Sequence, residues 1–219
     1  MKLSQSQIQD IERYLDYHEL KQVDLRVEVL DHMAESIEAA MENGVSYVDA
    51  FNRQRERWNP ELESYSSFWL GWALSGPKMM IKKCAQMMRK IYLFALLSTV
   101  LISGILFFIL KLLPLNVLGN TLDIIIKILF VIPFLVSLLL LYKIKQTSLK
   151  TTYQYFYKTQ AWGWSLCGTL FNPILISNKP YFGIEIRYVK LLWPVFLIMV
   201  CLQFYKIYQK HIRVIKRMA

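Results

Sequence analysis

Around the stretch VLDHMAESIE (Val29–Glu38), Glu28, His32 and Glu35 recur at intervals of three and four residues. On a helix that spacing brings two carboxylates and an imidazole onto one face. Such a donor set suits a carboxylate–histidine metal site or an acid–base cluster. A catalytic metal, however, takes about three protein ligands gathered from separate parts of a fold. The other histidines, His18 and His211, stand in no ligand-spaced motif. At about 100° per residue, Asp24, Glu28, Asp31, Glu35, Glu38 and Glu42 fall within an arc of roughly 80°. His32 lies at the edge of that arc, beside Leu25, Val29 and Ser36. The pattern reads first as an acidic face turned to water or to a partner, and next as a histidine buried at a helix contact. No catalytic residue, metal or cofactor is expected. Asp24, Glu28, Asp31, His32, Glu35 and Glu38 are the candidate partner-binding residues.

The elements that carry this face are helical. Ser4 followed by Gln7 is a capping-box start, with Ile8, Ile11 and Leu15 at helical spacing behind it. A second helix is predicted from Lys21 to Asn43, stopped by Asn43-Gly44, with Val23, Val27, Leu30, Ala34, Ile37 and Met41 as its apolar stripe. Ser46 caps a third, containing Val48, Phe51 and Trp58 and closed by Pro60. Three short helices over residues 1–60 form a head too small to be very stable alone.

Charge separates that head from the rest. Residues 1–77 hold fourteen acids and seven bases, a formal −7, whereas residues 78–219 hold two acids and nineteen bases, a formal +17. The net +10 averages an acidic head with a basic, greasy body. The bases flank apolar runs and form no continuous patch, so no nucleic-acid partner is expected. Cys84, Cys167 and Cys201 are too scattered for a disulfide framework or a zinc knuckle. The first twenty residues carry Asp10, Glu12, Asp16 and Glu19 where a cleavable signal needs an apolar run, so the head is expected to stay in the cytosol.

The body is expected to cross the membrane. Ile91–Leu110 is an uncharged run of twenty residues, enough to span a hydrocarbon core of about 30 Å. Further spans are placed at about 124–142, 160–178 and 189–208, the first span extending over 91–112. The third is the poorest, with Gln160, Asn172 and Pro173 inside it. Bases cluster in the segment with Lys78, Lys82, Lys83, Arg89 and Lys90, in the link carrying Lys143, Lys145, Lys150 and Lys158, and in the tail. Four crossings with both termini cytosolic satisfy the positive-inside rule, and three would place the basic tail outside. The five bases from Lys78 to Lys90 are expected at the membrane surface, where anionic lipid attracts each by about 1 kcal/mol. Lys127 lies in the second run four residues after Asp123, and reads as a helical ion pair near the outer end ahead of an ion-path residue. Trp162, Trp164 and Trp193 read as interfacial belts.

The fold class is thus all-α. A three-helix cytosolic head (1–60) leads through a link and basic juxtamembrane segment (61–90) to a four-helix transmembrane bundle (91–208) and a basic cytosolic tail (209–219).

The stretch DLRVEVLDHMAESIEAAMENGVSYVDAF resembles the HAAS-like helical prefix modules found before membrane segments or beside PadR-type regulators in bacteria. Leu25, Glu28, Val29, Asp31, His32, Ile37, Glu38, Gly44 and the Ala50-Phe51 pair carry the likeness over residues 1–60. With WNPEL and SFWLG, the whole chain resembles integral membrane proteins of flavobacteria. The resemblance implies sensing or adaptor duty at an inner membrane and brings no catalytic residues. No PadR-like winged helix follows the head.

Three function classes compete. A non-enzymatic inner-membrane protein whose head regulates or adapts a protein partner fits an acidic helix that has no chemistry beside it. A small transporter or channel subunit would draw on Lys127 and the polar third run, but no internal repeat accompanies them. A membrane enzyme has no H-E-x-x-H, G-x-S-x-G or Walker loop to rest on. The first is the expected reading, with the lipid bilayer and a protein as partners.

Overall fold

The computed structural model describes residues 2–68, 70, 75–112, 119–170 and 186–218. Among these the chain is mostly helical, in the order α1 (Gln5–Tyr17), α2 (Val23–Glu42), α3 (Tyr47–Leu62), β1 (Ser64–Ser66), β2 (Ser75–Pro77), α4 (Lys78–Leu112), α5 (Gly119–Lys145), α6 (Thr152–Leu170) and α7 (Ile186–Met218). It divides into two compact units. One comprises Met1–Met87, Ser148–Tyr155 and Val214–Ala219, and the other Met88–Thr147 and Phe156–Arg213.

In the first unit α1 starts on the expected capping box. Gln7 N donates to Ser4 Oγ, and Ser4 N donates to Gln7 Oε1 at 2.8 Å. The helix ends in a Schellman turn, with Leu20 N bonded to Leu15 O at 3.1 Å and Glu19 N to Asp16 O at 2.9 Å. Glu19 takes the left-handed conformation there (φ 54°), at a cost of about 1–2 kcal/mol for a residue with a Cβ. The offset is apolar: Leu15 and Leu20, the two ends of the six-residue turn, are both fully buried. Helix α2 ends the same way on Gly44 (φ 83°), with Val45 N bonded to Ala40 O at 3.1 Å. Here the glycine anticipated from Asn43-Gly44 removes the Cβ penalty.

Three sequence expectations for the head need correction. The buried face of α2 is Leu25, Val29, Met33 and Ile37, not the stripe through Val23, Val27, Leu30, Ala34 and Met41. Val27 is 37% exposed. Apolar residues nearly encircle this helix, so its sequence allows two stripes, and packing against α1 and α3 selects the one that is closed off. Second, α3 does not stop at Pro60 but continues to Leu62. A proline in the last turn loses one backbone bond. Burial of Leu62 and a 2.9 Å bond from Glu63 N to Asn59 O still close the turn. Third, the segment after residue 60 is no plain link. Strands β1 and β2 pair antiparallel, Ser64 opposite Pro77 and Ser66 opposite Ser75, and Lys78 N donates to Glu63 O at 3.0 Å.

In the second unit, α4 reverses the pattern of a water-soluble helix. On α4 the inward positions are Ala95, Thr99 and Ser103, all buried, while Leu93, Leu96, Leu97, Val100 and Leu101 face outward. Small and hydroxylated residues inside with large apolar ones outside is the arrangement expected when the surrounding solvent is lipid. The Thr99 hydroxyl donates to Ala95 O at 2.7 Å, so its polarity is absorbed by its own helix. Tyr157 donates to Ser137 O at 2.9 Å and packs edge-on against Phe204 at 4.8 Å, joining α5, α6 and α7. Tyr92 donates to Gln160 Oε1 at 3.1 Å and ties α4 to α6.

Three helices among the described residues are long and apolar enough to cross a membrane: Lys78–Ile109, Lys127–Lys145 and Leu192–Met218. Helix α7 continues through the stretch read as a separate tail. The far half of the third run, with Asn172 and Pro173, lies outside the described residues, as do the side chains of Asp123, Trp162 and Trp164.

Candidate functional site

The acidic face of α2 is divided among different partners. Asp24, in the first turn of α2, turns its Oδ1 to the backbone N–H of Thr152, 2.8 Å away and 128 residues later in the chain. Thr152 is the first residue of α6. One residue before Asp24 and two before Thr152, Val23 N donates to Lys150 O at 2.8 Å. The two helix starts therefore cap one another. The leading N–H of α2 is satisfied by the chain entering α6, and the leading N–H of α6 by a carboxylate on α2. Thr151 completes the second start, its Oγ1 accepting from Gln154 N at 3.1 Å. Both N-termini carry partial positive charge, and Asp24 is the anion they share.

This junction is only partly satisfied. Gln22 Oε1, Asp24 Oδ2, Thr152 Oγ1 and the Tyr155 hydroxyl are buried without a hydrogen-bond partner among the described residues. Burial pushes the Tyr155 phenol above its ordinary pKa, so the group stays protonated. Cys84, from the start of α4, is buried in the same unit and interacts electrostatically with Asp24.

Glu28 pairs with Lys83 at 3.4 Å, and Glu61 on α3 pairs with Lys82 at 2.9 Å. All four side chains are at least a third exposed, so each pair contributes about 0–1 kcal/mol. Glu38 accepts from Leu3 N at 2.9 Å, fastening the N-terminal strand of chain to α2. Asp31, His32 and Glu35 are exposed. They form the part of the face that remains open. Of the five bases expected at the membrane surface, Lys82, Arg89 and Lys90 are exposed, and Lys78 and Lys83 are half-buried. Among the described residues no three His, Cys, Asp or Glu side chains are grouped as metal ligands would be.

A second feature of the head escaped the sequence. An open groove between α1 and α3 is lined by Asp10, Arg13, Tyr14, Tyr17, Phe51 and Arg55. Tyr14 forms its floor, donating to Asn59 Oδ1 at 2.8 Å, and burial raises its phenol to about 12 despite the nearby Arg55. The Arg55 guanidinium lies over the Tyr14 and Phe51 rings at 5.8 and 5.9 Å. Arg13 is ion-paired with Asp10, whose other oxygen accepts from the Tyr47 hydroxyl at 3.2 Å. Tyr17 stands at the rim, 83% exposed. Helical spacing within α1 and within α3 was readable, but their meeting was not.

No family model matches the chain, and no curated protein or solved structure matches it either.

Proposed function

We propose that this is a non-enzymatic integral membrane protein of a bacterial inner membrane, whose cytosolic helical head is a sensing, regulatory or adaptor module for a protein partner. The observation that carries this reading is the membership of one compact unit: the head, Ser148–Tyr155 and Val214–Ala219. A chain that leaves that unit in α4, returns at Ser148, leaves in α6 and returns at Val214 makes an even number of passages. Helices α4, α5 and α7 supply three of them. We assign the fourth to the run at 160–178 on its sequence, which makes the expected four-helix bundle and the basic cytosolic ends mutually consistent.

The regulatory part of the reading rests on the junction of α2 with α6. A head seated on the entry to a membrane helix by a shared carboxylate is mechanically connected to that helix. Asp31, His32 and Glu35, open on the far part of the same helix, are where a protein reaches α2 without first displacing the junction. A photo-reactive side chain at Glu35, activated in intact membranes, is expected to give a discrete protein adduct. Adducts with lipid alone, or none, would contradict the reading.

A further inference from the structure

We infer that the groove between α1 and α3 is the receptor for the open acidic face of α2 on a second copy of this chain. This rests on the reading above and names the partner of that face. Three observations converge on it. First, the groove is built as an anion-and-ring acceptor. The Arg55 guanidinium lies 5.8 and 5.9 Å from the Tyr14 and Phe51 ring centroids and is exposed, and it forms no ion pair among the described residues. Tyr17 beside it is 83% exposed, and exposed tyrosine with arginine is the usual make-up of an interface anchor. Arg13 is already answered by Asp10, so Arg55 is the charge the groove offers outward.

Second, the complementary surface is on the same head. Asp31 and Glu35 are one helical turn apart on α2 and exposed, whereas Asp24, Glu28 and Glu38 already have partners. An acidic helix laid along a groove with ring faces and a guanidinium follows a common mode of helix recognition. Third, one chain cannot satisfy itself. No residue of α2 lines the groove, and the core face of α2 is committed to α1 and α3. The contact therefore joins the groove of one copy to the acidic face of the next. It joins unlike surfaces, so it closes as a reciprocal pair or grows into a ring or a row of heads. Confinement of the heads to one membrane surface raises their effective concentration, so a weak contact is sufficient.

The test uses two differently tagged full-length copies in one membrane, with the three native cysteines replaced. One carries Glu35→Cys and the other Tyr17→Cys. A disulfide-linked heterodimer is expected under mild oxidation, well above a control pairing Glu35→Cys with Val48→Cys, a position 63% exposed on α3. Arg55→Glu in the Tyr17→Cys copy is expected to lower the yield about fivefold, the loss of about 1 kcal/mol from an exposed charge contact. Asp31→Arg in the Glu35→Cys copy is expected to restore it. Asp31 is exposed, so its reversal should leave the monomer's own unfolding unchanged, and Arg55→Glu should shift it only slightly through the lost ring contacts. No heterodimer above the Val48 control, or a yield indifferent to Arg55→Glu, overturns the inference. A photo-adduct from Glu35 with a different protein also overturns it while leaving the broader reading standing, whereas lipid adducts alone remove both.

Discussion

Met33→Ala should weaken the head by about 2–5 kcal/mol, the range for truncating a fully buried long apolar side chain, while Val27→Ala should change it by no more than about 0.5 kcal/mol. Met33 has no exposed surface, and Val27 is more than a third exposed. The contrast is informative because the two positions belong to rival apolar stripes of α2. Pulse proteolysis of the full-length protein across a urea series, scored on the head, reads both variants on one scale. A larger loss for Val27→Ala would mean that α2 presents its other stripe to α1 and α3. Asp31, Glu35 and the open face would then be misplaced with it.

Asp24→Ala should release the junction between α2 and α6. It removes the acceptor of the Thr152 N–H, worth about 1–2 kcal/mol as a helix cap, and an anion shared by two helix N-termini, worth about 0.3–1 kcal/mol at each. Backbone hydrogen exchange at the starts of both helices is therefore expected to accelerate by roughly 10- to 100-fold. Asp24→Asn keeps an acceptor and loses the charge, so it should fall between wild type and alanine. Exchange that accelerates at α2 alone would mean the two starts do not cap one another. Exchange unchanged at both would remove the mechanical link on which the regulatory reading depends.

How much of this was legible in the sequence follows from how local each feature is. The start of α1 at Ser4 and the stop of α2 at Gly44 are set within five residues, and both were readable. The length and apolarity of three membrane-length helices are likewise local properties. The face of α2 that is buried was not readable, because its apolar residues allow two stripes and only neighbouring helices choose between them. Pro60 was read as a stop by a local rule that the packing of Leu62 overrides.

The candidate site divides along the same line. The acidic arc of α2 was visible as a pattern, and His32 was placed at its edge. What separates Asp24 from Asp31 is a threonine 128 residues away, which no spacing rule reaches. Thr151 and Thr152 had the composition of a helix start, so one half of the junction was present in the sequence without its partner. The groove of Arg13, Tyr17 and Arg55 depends wholly on the approach of α3 to α1.

The proposed four crossings return the α5–α6 link and the C-terminal end of α7 to the membrane face that holds the head. Accessibility of single cysteines to a membrane-impermeant thiol reagent tests this most directly, in intact cells and in a background without Cys84, Cys167 and Cys201. Cysteines replacing Asn116 and Asn178 should be labelled from outside, and those replacing Ser148 and Gln209 should be labelled only after the membrane is opened. Labelling of Gln209 from outside an intact cell would mean three crossings, and would contradict the account.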